Sequence, residues 1–244
     1  MDYNRMLKYH KETKADCTIA VLEVPWEETS RFGIMTTDKK SRITKFEEKP
    51  KKANSNLASM GIYIFTWDKL RAYLEADEAR KDSKNDFGGD IIPTMLAEKQ
   101  RMMAYPFEGY WKDVGTIESL WEANMDLLDP NVPLDVWDSG WRIYSRTPGR
   151  PPHYIGTKAT VENSMVTEGC VVEGLLDSAV LFAGVQIGHD AEVRDSIIMP
   201  GAIVEDGARI NYALSLIHLP EPPRPRSIPH SVSFLNKKIL QLHA

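Results

Sequence analysis

An acid and a base stand side by side in the segment FEEKP, which spans residues 46–50. A lysine ammonium can hold a phosphate as a point charge, and a glutamate can accept hydrogen bonds from sugar hydroxyls. Within a regular strand Glu48 and Lys49 would point to opposite faces, so both reach one ligand only if the chain bends, which Pro50 permits. On composition alone, a solvated strand end in a lysine-rich loop is the simpler interpretation.

The segment LASMGIYIF, residues 57–65, reads as a buried strand with two different faces. Ser59, Gly61 and Tyr63 share one face at a period of two, and the other face is apolar. This face carries a small serine, a glycine without a side chain and an aromatic tyrosine, which together suit a sugar that lies against a sheet. The alternative is a buried strand whose second face packs on a helix, with Gly61 marking a bulge or a close approach.

A carboxylate in the segment GYWKDVGT is a candidate cation ligand. Asp113 stands between a short predicted strand and Gly115, just before a predicted helix. Mg²⁺ prefers oxygen ligands and keeps several waters, so a carboxylate fixed there can bind it. The alternative is an aspartate with a structural role in a turn. One carboxylate alone does not make a metal site.

Three further segments have both a functional and a structural interpretation. In NDFGGDIIP, Asp86 and Phe87 can face a ligand, or Asp90 can simply cap the following helix. In RFGIM, Gly33 marks either a close approach of the backbone to a ligand or the start of a strand. His189 could be the general base of a β-helix acyltransferase, but an exposed turn histidine without a catalytic partner is the favoured interpretation.

Strand-like and helix-like segments alternate over residues 1–128, which predicts a layered α/β domain. The predicted helices cover residues 4–14, 68–79, 90–99 and 116–128, the last with Thr116 as its cap. The predicted strands cover residues 18–24, the two sides of a hairpin turn at 38–41, residues 57–65 and short pieces of 102–112.

The composition and pattern of the sequence change three times over the remainder of the chain. Residues 129–152 hold several prolines and glycines and are interpreted as a linker. Residues 153–213 show aliphatic side chains every five or six positions, a period typical of two or three coils of a parallel β-helix. The inward positions are predicted to be Ile155, Val161, Val166, Val171, Ile187, Val193, Val204 and Ile210.

Residues 214–244 break that period and are interpreted as a non-native or disordered tail. They contain five prolines, no glycine and no aspartate. The stretch LSLIHLPEPPRPR resembles a translated sequencing adaptor, so the tail is excluded from functional interpretation.

Composition excludes several classes of protein. The 244 residues are 42% hydrophobic and carry a net charge of −5, without the clustered basic surface of a nucleic-acid-binding protein. No apolar run approaches the ~20 residues of a membrane span, and the polar start does not resemble a signal peptide. Two distant cysteines, Cys17 and Cys170, make neither a disulfide framework nor a zinc site, which predicts a reducing, cytoplasmic location.

The ordered combination of FGIM, FEEKP, LASMGIYIF, NDFGGDIIP and YWKDVGT, followed by a β-helix, resembles the bacterial glucose-1-phosphate adenylyltransferases (ADP-glucose pyrophosphorylases). The resemblance covers residues 1–213. It implies a partial Rossmann-like nucleotidyltransferase domain followed by a left-handed β-helix. It also implies the reaction of ATP with α-D-glucose 1-phosphate to give ADP-glucose and diphosphate, for glycogen synthesis. The family works as homotetramers or heterotetramers under allosteric control.

The resemblance also implies roles for particular residues. Lys49 would hold the phosphate of glucose 1-phosphate, and Glu48 would bind the glucose hydroxyls. Asp113 would be one of two aspartates that bind catalytic Mg²⁺, which makes Lys49 and Asp113 the candidate catalytic residues. The other residues expected to line the glucose pocket are Gly33, Ser59, Tyr63, Asp86, Phe87 and Trp111.

Two family features are absent from the 244 residues. One is the glycine-rich loop G-G-x-G-T-R-L, whose backbone N–H groups cradle the triphosphate. The other is GDHIY, which carries the second metal-binding aspartate and precedes the tyrosine-containing start of this sequence. We therefore expect the sugar-phosphate half of the enzyme, inactive in isolation. The alternatives are a non-catalytic regulatory subunit of the same enzyme or a related sugar-phosphate nucleotidyltransferase.

Overall fold

The computed structural model describes residues 1–141, 143–145 and 149–215, and the backbone of 232–234. The chain divides into two compact units, Met1–Gly109 and Tyr110–Ala244. This division lies earlier than the predicted boundary at residue 128, because helix α4 (Ile117–Met125) packs against strands of the solenoid that follows. Among the described residues, no helix has the length and apolar character needed to cross a membrane.

The first unit alternates helices and strands, and the predicted segments are found close to their expected positions. Its helices are α1 (Tyr3–Thr13), α2 (Trp67–Glu78) and α3 (Ile92–Ala97), with a 3₁₀ helix at Trp26–Arg31 and a π-helical turn at Phe87–Ile91. Its strands are β1 (Cys17–Glu23), β2 (Gly33–Thr37), β3 (Ile43–Glu48), β4 (Leu57–Phe65) and β5 (Met102–Pro106). Residues 107–112, where further strand was predicted, form none.

The five strands make one mixed sheet in the order β3-β2-β4-β1-β5, with β1 parallel to β5 and antiparallel to β4. The pairing of β1 and β4 shifts between Ile19, opposite Tyr63, and Val21, opposite Ser59. Gly61 lies in this bulge with a φ of +71°, a conformation that glycine adopts without steric cost. The predicted bulge at Gly61 is therefore confirmed.

The core of the first unit lies between the sheet and helix α3. It consists mainly of fully buried aliphatic and sulfur-containing side chains, among them Cys17, Ile19, Val21, Met35, Ile43, Ile92, Met95 and Met102. These side chains come from strands that read as apolar runs, so burial follows directly from the sequence pattern. The strand pairing brings the start of β2, the end of β3 and the first half of β4 to one corner.

The second unit consists of α4, a 3₁₀ turn at Asp126–Leu128 and a parallel β-solenoid. Thr116 caps α4, and the reciprocal hydrogen bonds between Thr116 and Ser119 form a capping box, which confirms the predicted cap. The strands are β6 (Tyr154–Ile155), β7 (Thr160–Glu162), β8 (Met165–Val166), β9 (Val171–Val172), β10 (Leu175–Leu181), β11 (Gln186–Ile187), β12 (Glu192–Ile198), β13 (Ile203–Val204), β14 (Arg209–Asn211), β15 (Ala213–Ser215) and β16 (Val232–Phe234).

Aliphatic side chains stack in register along the solenoid, as the hexapeptide period predicted. One sheet stacks four strands, β6, β9, β11 and β13, so the solenoid has more coils than the two or three expected. In this sheet Val172 pairs with Ile187 and is fully buried, whereas Val171 is 38% exposed. The prediction that Val171 points inward is therefore wrong by one residue, because strand alternation turns only one of two adjacent valines toward the core.

Helix α4 covers one side of the solenoid. The buried side chains of Val180, Ile197 and Leu214 pack against apolar residues of this helix. Trp121 also donates a 2.9 Å hydrogen bond from its indole N–H to the backbone carbonyl of Asp195. Burial of these apolar surfaces accounts for the assignment of α4 to the second unit.

The predicted tail, residues 214–244, is described only in part. Leu214 is buried within strand β15, and the backbone of β16 pairs with β15 in antiparallel orientation. The rest of the predicted tail lies outside the described residues.

Candidate functional site

The acid–base pair of FEEKP lies where strand β3 ends. Lys49 has a φ of +46°, in the left-handed region, so side-chain alternation stops there. The backbone N–H of Lys49 donates to the carbonyl of Phe32 at 3.1 Å and keeps the bend on the sheet. As a result the Lys49 ammonium lies 3.7 Å from the Glu48 carboxylate. The bend that both residues need in order to reach one ligand is present, and it occurs at Lys49, directly before Pro50.

Two glycines make room for the Glu48 carboxylate. Gly33 pairs with Glu48 across the β2–β3 hairpin, and a Cβ at Gly33 would lie 3.0 Å from Glu48 Oε2 and 2.6 Å from the Phe46 ring. A Cβ at Gly88 would lie only 2.7 Å from the same Oε2 atom. Gly88 was not predicted as a site residue, although it directly follows the predicted Phe87.

Strand β4 contributes two hydroxyl groups to the same corner. Ser59 Oγ and the Tyr63 hydroxyl are 3.5 Å apart, and Ser59 Oγ also accepts a hydrogen bond from the N–H of Gly61 at 3.2 Å. Burial raises the pKa of Tyr63, the hydrogen bond between Tyr63 and Ser59 opposes this, and the carboxylates of Glu48 and Asp86 raise the pKa further. Tyr63 therefore keeps its proton at neutral pH and remains a hydrogen-bond donor.

The π-helical turn places an aromatic ring over Tyr63. The Phe87 ring stacks on the Tyr63 ring with centroids 5.8 Å apart and planes inclined by 20°. Phe87 also contacts the ring of Phe65 at 5.6 Å, yet it remains 38% exposed. Such an exposed aromatic surface beside hydroxyl and carboxylate groups suits a ligand with one apolar and one polar face.

Asp86 caps the turn that carries Phe87. Its Oδ1 atom accepts a hydrogen bond from the N–H of Gly89 at 2.5 Å. The alternative prediction, that Asp90 is the cap, is wrong, because the Asp90 carboxylate is turned toward Lys84 and Asp86 instead. The structure thus joins seven predicted residues in what we call the corner site: Gly33, Glu48, Lys49, Ser59, Tyr63, Asp86 and Phe87.

Trp111 and Asp113 belong to the second unit, on a partly buried loop before α4. Their neighbours fasten this loop to the residues that follow. The Tyr110 hydroxyl donates to Asp126 at 2.8 Å, and the Lys112 ammonium lies 2.9 Å from Glu122 and 3.3 Å from Asp126. A Cβ at Gly115 would touch both Asp113 carboxylate oxygens at 3.4 Å, so the carboxylate folds over the glycine.

The described residues contain no group of three or more histidine, cysteine or acidic side chains that could hold a metal ion. Asp113 offers hard oxygen donors of the kind that Mg²⁺ prefers, and Mg²⁺ usually retains waters in its remaining positions. Asp113 therefore fits as one Mg²⁺ ligand and does not make a site by itself.

His189 lies in a solenoid turn, as the favoured interpretation predicted. Its side chain is 65% exposed, and its Nδ1 atom lies 3.9 Å from Glu173. The backbone N–H of His189 donates to Asp206 at 2.7 Å. These contacts give a surface residue without the fixed, short hydrogen bond that a general base needs for orientation.

Two family models match the chain, and their boundaries agree with the changes in its sequence pattern. A model described as Nucleotidyl transferase matches residues 1–130, and one described as GlmU-like, C-terminal hexapeptide matches residues 153–215. Because the first match covers more than half of the 244 residues, the chain belongs to the nucleotidyl transferase family.

Among curated proteins, the chain is similar to several named glucose-1-phosphate adenylyltransferase. It is 55% identical to those of Bacillus cereus (strain ATCC 10987 / NRS 248) and Bacillus thuringiensis (strain Al Hakam), and 54% identical to that of Bacillus mycoides (strain KBAB4). Each match extends over 214 residues, which are 88% of this chain and 57% of the relative. The chain thus spans little more than half the length of these relatives.

Proposed function

We propose that this chain is the sugar-phosphate half of a glucose-1-phosphate adenylyltransferase. The observation that carries the proposal is the meeting of the Lys49 ammonium and the Glu48 carboxylate, 3.7 Å apart, at the corner site. An ammonium beside a carboxylate matches a ligand that joins a phosphate to hydroxyl groups. The identity of 55% to a protein with this name supports the choice of glucose 1-phosphate as that ligand.

In the proposed reaction, a phosphate oxygen of glucose 1-phosphate attacks the α-phosphorus of ATP. The new O–P bond forms as the bond from the α-phosphorus to the bridging oxygen breaks, and diphosphate leaves with the electron pair. Lys49 holds the attacking phosphate, and Glu48 accepts hydrogen bonds from the glucose hydroxyls. The Tyr63 and Phe87 rings offer a face for the sugar, so the chain's contribution is to position the nucleophile.

Mg²⁺ belongs to the same proposal. Asp113 would supply one oxygen ligand to the ion, as the chemistry of its carboxylate permits. When bound, Mg²⁺ neutralises charge on the phosphates and so favours their approach.

The remaining parts of the proposal concern the whole protein. We propose ATP as its second substrate, a tetrameric assembly and a cytoplasmic location. The location agrees with Cys17 and Cys170, both of which are free and buried thiols. Because the 244 residues contain no G-G-x-G-T-R-L loop, we expect them to bind glucose 1-phosphate without forming ADP-glucose.

Lys49→Ala tests the proposal by removing the phosphate ligand. A hydrogen bond between charged groups contributes about 1.5–3 kcal/mol, so the 244-residue chain should lose at least about tenfold in affinity for glucose 1-phosphate, measured by calorimetry. Lys51→Ala is the matched control, since Lys51 is an exposed lysine of the same loop. In the complete enzyme, Lys49→Ala should raise KM for glucose 1-phosphate strongly and KM for ATP little.

Four results would contradict the proposal. Equal affinities of wild type and Lys49→Ala would remove Lys49 from the phosphate site. A wild-type chain that binds no glucose 1-phosphate would remove the corner site itself. A complete protein that binds glucose 1-phosphate without turnover would be a regulatory subunit, and one that prefers another nucleotide would be a related transferase.

A further inference from the structure

Two buried carboxylates lie beside the corner site without belonging to it. Asp77 and Asp90 are only 7% and 8% exposed. A buried carboxylate is costly unless hydrogen bonds or charges compensate for the lost water. Both are compensated by the same short stretch of chain, residues 83–86, which leads directly to Phe87.

Asp90 holds this stretch through the backbone. Its Oδ2 atom accepts hydrogen bonds from the N–H groups of Lys84, at 3.1 Å, and Asp86, at 3.2 Å. In return, the N–H of Asp90 donates to the carbonyl of Asp86 at 2.9 Å. Asp86 therefore donates one hydrogen bond to Asp90 and accepts another from it, and the pair fixes the backbone of Asp86 more firmly than a single hydrogen bond would.

Asp77 holds the same stretch from helix α2. Its carboxylate accepts a 2.6 Å hydrogen bond from the Ser83 hydroxyl, and Ser83 Oγ accepts the N–H of Asn85 at 2.9 Å. Asn85 has a φ of +55°, a left-handed conformation that needs support from its surroundings. Arg80 lies 3.5 Å from Asp77 and partly balances its charge.

Asp90 is itself anchored in the core of the first unit. Its carbonyl accepts a 2.6 Å hydrogen bond from the Thr94 hydroxyl of α3, and its neighbours Ile91 and Ile92 are buried. A continuous path of contacts thus runs from the core through Asp90 and Asp86 to the Phe87 ring on Tyr63. A displacement of residues 84–86 is therefore expected to shift Asp86 and Phe87 relative to Tyr63.

We propose that Asp90 is a positioning residue of the corner site, which holds Asp86 and Phe87 in the geometry that binds the sugar phosphate. The inference rests on the proposed function. Asp90 acts without touching the ligand, through the two N–H groups that its Oδ2 atom accepts.

The test compares glucose 1-phosphate binding by wild-type and variant 244-residue chains, measured by calorimetry. Asp90→Ala should weaken binding about tenfold or more, because both hydrogen bonds to residues 84–86 are lost. Asp90→Asn should restore most of the affinity, since an amide oxygen can accept the same two N–H groups. An NMR contact between the Tyr63 and Phe87 rings should weaken in Asp90→Ala and return in Asp90→Asn.

The hairpin turn offers a matched control. Asp38 Oδ1 likewise accepts two backbone N–H groups, from Lys40 at 2.8 Å and Arg42 at 2.9 Å, at the end of β2 and β3 remote from Gly33 and Glu48. Asp38→Ala should therefore leave the affinity unchanged. If Asp90→Ala does not fold, Asp90→Ser replaces it, because the shorter serine side chain cannot place its oxygen where Oδ2 accepts the N–H groups of Lys84 and Asp86, and the same loss of affinity is expected.

The outcomes separate this inference from the proposed function. If the wild type binds no glucose 1-phosphate, the proposed function fails. If the wild type binds and Asp90→Ala, or Asp90→Ser in its place, binds equally well, the positioning role is overturned while the site stands. A loss in Asp90→Ala that Asp90→Asn does not reduce would also overturn it, because the two hydrogen bonds would not then be the cause.

Discussion

Replacing Gly88 with alanine separates the stability of the first unit from the geometry of the corner site. Gly88 lies in the π-helical turn, and its φ is outside the left-handed region, so alanine fits the backbone without strain. Alanine is favoured over glycine in helical turns by about 0.5–1 kcal/mol. The new Cβ, however, would lie 2.7 Å from Glu48 Oε2 and 3.3 Å from Glu48 Cδ.

The size of the disturbance follows from these distances. Ordinary contact begins near 3.4 Å, so the Glu48 carboxylate has to move by about 0.7 Å or more. The Glu48 side chain is 40% exposed and can rotate away, so the fold loses little. A displaced carboxylate loses hydrogen bonds to the sugar, and one such bond is worth about 1.5–3 kcal/mol. We expect about tenfold weaker binding together with an unchanged or higher Tm.

A double-mutant cycle tests whether the displacement of Glu48 causes the loss of affinity in Gly88→Ala. Glucose 1-phosphate affinity is measured by calorimetry for wild type, Gly88→Ala, Glu48→Ala and the double variant, and Tm is measured for each. Gly88→Ala should weaken binding in the wild-type background and have no further effect once Glu48 is alanine. Two results would refute the reasoning: unchanged affinity in Gly88→Ala, or an equal loss in both backgrounds.

Two further predictions concern stability. Burial lowers the pKa of His10, against the opposing charge of Asp16, so the unfolded chain takes up the proton first. The contribution of His10 to stability should be constant above about pH 6.5 and fall as the pH drops below it, so the pH slope of urea unfolding in that range should be smaller in His10→Asn. In the solenoid, Val172→Ala should cost about 2 kcal/mol of unfolding free energy and Val171→Ala less than about 0.5, since only Val172 is fully buried. Similar urea midpoints for the two valine variants would contradict the register.

The hydrogen bonds of the His10 ring also favour its neutral form. The Thr66 hydroxyl donates to the carbonyl of Ala15 at 2.9 Å, so its oxygen is left to accept the Nε2–H of His10 at 3.3 Å. Thr18 then donates to Nδ1 at 2.8 Å. The neutral ring is satisfied at both nitrogens, and a second proton would place two donors face to face.

Features set by local rules could be predicted from the sequence. Strand β1 is an apolar run that is buried over most of its length, and Thr116 caps α4 through hydrogen bonds to Ser119, only three residues further along the chain. The β-helix period was equally readable. Its register at β9 was not, because Val171 and Val172 are identical in type and the sequence gives no reason to prefer either. Only the in-register pairing with Ile187 decides between them.

The covering of the solenoid by α4 was missed for a related reason. The amphipathic pattern of α4 shows that one face is apolar, but it does not say which surface that face meets. Leu120 and Trp121 pack on side chains more than fifty residues away, Val180 and Ile197. A boundary drawn at residue 128 from composition therefore separates elements that the structure joins.

The corner site shows the same limit more sharply. Residue types that can bind a sugar phosphate are visible in FEEKP, yet their use depends on space that other segments provide. Gly88 stands forty positions from Glu48, and its role is only to lack a side chain.

The role of Asp90 cannot be predicted from the sequence either. Its partners are the backbone N–H groups of Lys84 and Asp86, and every residue except proline carries such a group, so the residue types at these positions do not indicate the contact. Side chains that can bind a ligand are therefore recognisable in the sequence, whereas the residues that position them are recognised only in the folded structure. Variants at Gly88 and Asp90 consequently test the geometry of the corner site, whereas Lys49→Ala tests its phosphate ligand.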